Sequence, residues 1–530
     1  MPASARLLAD DGKVKVRLYC QGVGDAFLLA FPTADPAEPA YLLIDCGIAK
    51  GTPDREARSR RIVENIAAAT GGRLDILVIT HQHFDHISSF QDSWREWLEI
   101  QVENLYLPWT EATAEKGEVK GKTTFEEVLN RAAEAALGQA SPQALRSQPR
   151  LGAQADFLGF TPGEAPRNMD DAMDFARSLC RGKIRYFYPG DVFKVPGTQS
   201  FGYVLGPPRL DQKNPAGKPY IELLEDRDAM YSYRDFGLEP DRGRIGGPNS
   251  FALSDDRALP ALASGLLAAD ALDRNFDEDF SPFSHEQRLD WDFAMAAPFF
   301  EKHYGSSPRG EGGAWRRIDE DWLGGMADLA LRAGDFTNNI SLVLAFDLPG
   351  SEKMMLFPGD AQVGNWLSWH QIDKWSYVDD AIPARAPESS ATQTLMENLL
   401  GRVAFYKVGH HGSHNATVKK QGLELMSDDL VAFIPVSVPV AQDLMGYCPM
   451  PFYPVLRAIQ QKTRGRVFLP NGQALEPLAS GSHEELRAAA GMRISAEKLP
   501  AKLGKGAQGK KGEQLEDEGP LYLEWTQPAE

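Results

Sequence analysis

The sequence predicts an α/β fold in two halves, parted by a long central insertion, with a metal centre at the strand ends. Three observations carry this. Strand-length apolar or alternating runs crowd the first hundred residues, and regular strand signals return after residue 338. Six of the ten histidines fall in two short clusters, His81, His83, His86 and His410, His411, His414, each shortly after an apolar strand. Strands and helices on both sides of an interruption make a layered architecture.

In the first half, Val14–Cys20 alternates, Ala26–Phe31 and Tyr41–Asp45 are apolar runs, and Gly22 and Gly24 punctuate the turn between the first two. Ile62, Ile66 and Ala69 give Arg58–Ala69 helical spacing. Leu74–Ile79 is a short strand ending at Thr80, Ser88–Ile100 an amphipathic helix, and Val102–Leu107 a further strand.

Residues 108–337 read as an insertion or cap. A stretch this long should carry its own secondary structure. Helices are expected at Phe125–Leu137 (N-cap Thr124), Glu286–Lys302 and Trp315–Ala333, with a strand-like piece at Ile184–Tyr188. The second half, 338–480, has strands at Ile340–Phe346, Lys353–Phe357, Val403–Val408, Leu430–Pro435 and Val467–Leu469, and a helix over Pro454–Lys462. The extension 481–530 holds a flexible linker, Ala501–Glu518, and a last strand at Leu521–Trp525.

At 530 residues the chain exceeds what one core usually supports. Hydrophobic and charged fractions of 43% and 25% are those of a globular protein. No apolar run is long enough for a membrane helix, the first residues do not read as a secretory signal, and a cytoplasmic location is the expectation. Cys20, Cys46, Cys180 and Cys448 are scattered and read as reduced thiols, with Cys46 serving packing. A formal charge of −18 argues against broad nucleic-acid binding, which rests on Lys and Arg neutralising phosphates. It leaves open a nucleic-acid substrate held by a local patch and by metals.

Neutral imidazoles and ionised carboxylates are the normal ligands of a zinc-type site. His81 and His83 alternate and point the same way from the turn after their strand, while the adjacent Asp85 and His86 reach a second metal.

His81-x-His83-x-Asp85-His86 after an apolar strand resembles the signature of the metallo-β-lactamase superfamily. Asp45 matches that family's upstream Asp, which braces a ligand from behind, and Pro358-Gly359-Asp360 matches its Gly-Asp, whose carboxylate bridges both metals. Gly22-Val23-Gly24-Asp25-Ala26, Asn339-x-Ser341-Leu342-Val343-Leu344 and Val408-Gly409-His410-His411-Gly412-Ser413 are similar to the metallo-β-lactamase domain of ComEC-type DNA-uptake proteins and of phosphorylcholine esterases. The resemblance covers roughly residues 14–107 and 338–475. ComEC-type domains usually have Asp where this chain has His83. The superfamily's third histidine has no counterpart here, since His285 and His303 sit in or beside expected helices of the insertion.

The resemblance implies a four-layered αββα fold and two divalent metal ions, zinc first and manganese second. His81, His83, Asp85, His86 and Asp360 are the ligands it implies, with both His410 and His411 placed at the metal site, one completing the ligand set while the other could contact substrate. Asp25 is read either as shaping the site floor or as a structural turn residue, Ser413 as a helix cap and His414 as exposed. The implied chemistry is hydrolysis by a metal-activated hydroxide, with Asp360 holding the metals and His411 or Asp85 protonating the leaving group. A phosphodiesterase or nuclease is expected first, and a lactone, lactam or thioester hydrolase second. A partner-binding or sensor protein with a vestigial site is the third reading, opposed by the intact ligand set. The insertion is the surface expected to meet any protein partner.

Overall fold

A computed structural model describes residues 6–9, 12–112, 169–237, 337–445, 450–471, 483–499 and 519–528. The helices expected at Phe125–Leu137, Glu286–Lys302 and Trp315–Ala333, together with Thr124, His285, His303, Cys448 and the linker 501–518, lie outside the described residues.

Strands β1 (Lys15–Tyr19), β2 (Ala26–Phe31), β3 (Ala40–Cys46), β4 (Arg73–Leu74), β5 (Ile76–Val78), β6 (Gln101–Pro108) and β7 (Cys180–Phe187) build most of one sheet. A second sheet comprises β8 (Asp191–Lys194), β9 (Phe201–Gly206), β10 (Val343–Asp347), β11 (Met354–Phe357), β12 (Ser376–Tyr377), β13 (Val403–Lys407), β14 (Val431–Phe433) and β15 (Val467–Phe468). The chain then returns to the first sheet with β16 (Met492–Ile494) and β17 (Tyr522–Thr526). The first sheet runs β16-β17-β1-β2-β3-β5-β6-β4, with β7 pairing β6; the second runs β12-β8-β9-β10-β11-β13-β14-β15.

Residues 180–206 fall inside the stretch read as an insertion, yet β7 pairs parallel to β6 and β9 antiparallel to β10. The expected last strand is present as β17, antiparallel to β1 from Lys15–Thr526 to Tyr19–Tyr522.

The sheets face each other across an aromatic core. Phe27 and Phe31 of β2 meet Phe357 and Phe346 at ring separations of 5.8 and 5.6 Å, and Trp525 of β17 meets Phe405 at 4.8 Å. Every residue of β2 and β3 is buried, as expected of strands covered on both faces. Outside, the helix Arg55–Thr70 turns Ile62, Val63 and Ile66 inward on the first sheet. Helices Val363–Ser368, Leu395–Gly401 and Tyr453–Lys462 supply apolar residues to the cluster against the second. Among the described residues no helix is long and apolar enough to cross a membrane.

Two local expectations change. Leu74–Ile79 is split at Asp75, whose carboxylate accepts from the Tyr41 N–H at 2.8 Å. Ser88–Ile100 is not one helix but short turns, Phe84–Ile87, Ser89–Asp92 and Trp94–Trp97. Ser93 leaves helical geometry (φ −129°, ψ 33°) and its hydroxyl pairs with that of Ser59 at 2.7 Å, while Ser88 Oγ accepts from the Ile48 N–H. Serine hydroxyls that bond elsewhere compete with helical continuity. Cys46, expected to serve packing, is buried in the hydrophobic core, where burial pushes its thiol up to about 12.

Candidate metal centre

The two histidine clusters, far apart in sequence, meet at the ends of strands from both sheets. The turn after β5 supplies His81 and His83, and the helical turn Phe84–Ile87 adds Asp85 and His86. Asp360 follows β11, and His410 and His411 follow β13. Two glycines permit the close approach. A Cβ on Gly47 would lie 2.3 Å from the Asp85 carbonyl carbon, and one on Gly24 (φ +134°) would lie 2.4 Å from the Gly47 carbonyl oxygen. Through that contact the Asp25 N–H donates to the Asp85 carbonyl and the Gly47 N–H to the Asp25 carbonyl, both at 3.0 Å.

Asp45, His410 and His411 adopt left-handed φ values of 53°, 45° and 52°. Such backbone costs about 1–3 kcal/mol per non-glycine residue and persists where surrounding structure enforces it. Here it aims neighbouring side chains in different directions.

His81 lies 4.5 Å from His83 and 4.2 Å from His86 between ring centroids. Oδ2 of Asp360 is 3.2 Å from Nε2 of His86 and 3.9 Å from Nε2 of both His410 and His411. Nε2 of His411 is 2.8 Å from Oδ2 of Asp85, and its Nδ1–H donates to the Pro435 carbonyl at 2.9 Å. Asp45 accepts hydrogen bonds from His86 Nδ1 at 2.7 Å and from the Thr80 N–H and hydroxyl at 2.8 and 2.6 Å. Nδ1 of His81 sits 3.1 Å from the Thr80 hydroxyl and 3.2 Å from that of Ser341. These contacts orient His81, His86 and His411 from behind, the arrangement that fixes metal-ligating histidines.

Ligand atoms of Asp25, His86, Asp360 and His411 lie within 4.8 Å of one another. Asp25, however, stands on the Nδ1 side of the rings, 3.8 Å from His86 and 4.0 Å from His411, whereas Asp360 faces their Nε2 atoms. Asp25 also pairs with Lys407. It therefore braces the site from behind.

Electrostatics divides the imidazoles into two sets. Burial pushes His83 and His410 down to about 4, against the pull of nearby carboxylates, and holds His81 well below its ordinary value. His410 is close enough to depress the protonation of both His81 and His83. His86 and His411 are buried too, but carboxylates, Asp360 foremost, outweigh burial and raise both. Burial works against the Asp85 carboxylate, yet His86 and His411 bring it to about 2.

The donor set fits a divalent cation. Nε2 of His81 and of His86, Oδ1 of Asp85 and Oδ2 of Asp360 are buried without a hydrogen-bond partner. Buried polar atoms are normally satisfied, so four converging orphans call for a ligand. Among the site imidazoles His410 has the most exposed side chain, at 13%; those of His86 and His411 are at 2% or less.

The structure thus brings together His81, His83, Asp85, His86, Asp360, His410 and His411, with Asp45 and Asp25 behind them. Ser413 accompanies the loop without heading an α-helix, and His414 pairs with Glu225 at 3.5 Å, with its side chain 26% exposed. Sequence reasoning missed two residues. Asn338 places its side-chain amide 3.3 Å from His410 Nε2. Lys407 ends β13 and contacts Asp25, Asp360 and the Gly359 carbonyl. Its one signal was a lone charge closing an apolar strand before the second histidine cluster.

Two facing sheets with helices outside and a buried His/Asp cluster at the strand ends make a metallo-β-lactamase fold. Residues 38–103, which include His81 to His86, match the family model of the metallo-beta-lactamase superfamily. Similar solved structures include the metallo-beta-lactamase fold protein YhfI from Bacillus subtilis, 11% identical with a TM-score of 0.16, over 36% of this chain and 52% of that one. Another is Rm3 metallo-beta-lactamase, 13% identical with a TM-score of 0.16, over 38% of this chain and 49% of that one. The chain thus spans about half the length of each. A comparison with curated proteins finds no match.

Proposed function

We propose that the chain is a metal-dependent hydrolase acting on a phosphodiester, either a nucleic-acid strand or a smaller diester. The observation that carries this reading is the gathering of His81 Nε2, His86 Nε2, Asp85 Oδ1 and Asp360 Oδ2, buried without a hydrogen-bond partner, beside His410 and His411. Two divalent cations, zinc first and manganese second, would supply a water of lowered pKa and neutralise charge on a phosphoryl oxygen.

The protein's own groups divide the work. His81, His83 and His410 form one neutral set, with His410 in the place that the superfamily gives a third histidine. Asp85, His86 and His411 form the other. Asp360 presents Oδ2 to both. Asp45 holds the proton of His86 on Nδ1 and so keeps Nε2 turned inward. His411 and Asp85, 2.8 Å apart, would both be taken up as ligands in this arrangement, so neither is left to protonate a leaving group. The phosphodiester preference draws on the segments Gly22–Ala26, Asn339–Leu344 and Val408–Ser413, which resemble ComEC-type and phosphorylcholine esterase domains.

Metal analysis followed by parallel assays on bis-p-nitrophenyl phosphate, single- and double-stranded DNA and a lactone tests the proposal. Phosphodiester turnover that chelation abolishes supports it. Lactone turnover alone replaces the substrate class, and full activity in metal-free protein refutes the scheme.

A further inference from the structure

We propose that Lys407 is a positioning residue that presents Asp360 to the cation pair through one oxygen only. The inference rests on the two-cation reading above and adds a residue that reading does not use.

The Lys407 side chain is 1% exposed at the end of β13, where a lone ammonium would be strongly disfavoured. It has three partners. Nζ donates to the Gly359 carbonyl at 2.8 Å, lies 3.4 Å from Oδ1 of Asp360 and pairs with Oδ2 of Asp25. Two of these belong to one turn, so the ammonium holds the Gly359 carbonyl and the side chain of the next residue, which faces the imidazoles. The turn is fixed from other sides as well. The Asp360 N–H donates to Ser341 Oγ at 3.1 Å, and Gly359, at φ +56°, packs against Thr80 and Ser341.

Asp360 is therefore divided by function. Oδ1 faces Lys407, and Oδ2, without a hydrogen-bond partner, faces His86, His410 and His411. The same ammonium keeps Asp25 on the far side of His86 and His411. Lys407 thus separates two buried carboxylates into one that serves cations and one that does not. Without it, Asp25 and Asp360 would repel each other, and Asp360 would be free to turn Oδ1 inward.

A simpler role would be to neutralise Asp25. The Lys407→Met variant and the Asp25→Asn/Lys407→Met double variant separate the two roles, because the double variant has no unpaired Asp25 charge. Zinc content would be measured against a competing chelator, Co(II) binding followed by visible absorption, and the fold of the metal-free proteins checked by circular dichroism. Both variants should bind at least one cation about 10–100-fold more weakly than wild type, with an altered Co(II) band. If Lys407→Met fails to fold, the double variant carries the test. Wild-type affinity and spectrum in the double variant, while wild type binds two cations, overturn the positioning role alone. Wild-type protein that binds no cation overturns the two-cation reading, and the inference with it.

Discussion

Oδ2 of Asp45 lies 2.7 Å from Nδ1 of His86, with both side chains fully buried. The carboxylate can only accept, so this contact sets which nitrogen of His86 carries the proton and which faces Asp360. Asp45→Asn puts an amide where its NH2 can meet the same ring nitrogen. Zinc affinity should fall about 10–100-fold with the fold retained, measured by competition with a chromophoric chelator.

His410 and His411 should differ when each is replaced. His410 influences His81 and His83, and His411 contacts Asp85. Each alanine variant should retain about one cation where wild type holds two, and Co(II) spectra of the two variants should differ. Identical spectra would show that the loop is not divided between two pockets.

Gly47→Ala tests the backbone contact beneath the site. A Cβ there would lie 2.3 Å from the Asp85 carbonyl carbon, a distance that real side chains do not tolerate. The variant should lose more than about 2 kcal/mol of stability in urea unfolding, together with metal content.

Asp347 gives a pH dependence away from the metal centre. Burial pushes its carboxyl up to about 7, although the Phe201 N–H donates to it at 2.6 Å. The folded state therefore binds this proton more tightly than the unfolded chain, where the pKa is about 3.9. Stability from this group is fully present below about pH 3.9 and is lost as pH rises to about 7, by up to about 4 kcal/mol. Asp347→Asn should gain stability relative to wild type across that window in paired denaturant melts. A difference that stays constant with pH would rule out the shift.

Much of the fold was legible because buried strands write themselves as apolar runs; β2, β3, β11 and β13 lie close to where those runs fall. The histidine clusters were legible for another reason. A dense set of potential ligands after a strand has few other uses. Of the strands at 180–206 only the later part of β7 was legible, as the piece Ile184–Tyr188, because its first residues are exposed and carry Arg181 and Lys183. Lys407 and Asn338 were invisible because their partners are distant in sequence, and a single polar residue has no period to read. The roles of His410 and His411 could not be separated by spacing, since adjacent residues part company only through their left-handed backbone angles.

β17 brings residues 522–526 back beside β1 and seats Trp525, fully buried, against Phe405. The edge of β1 thus stays unpaired until more than five hundred residues have been synthesised, a long interval in which an open strand can recruit the wrong neighbour. The pairing of β1 with β17 is the most remote in sequence among the described strands, and it cannot form until Trp525 has been synthesised.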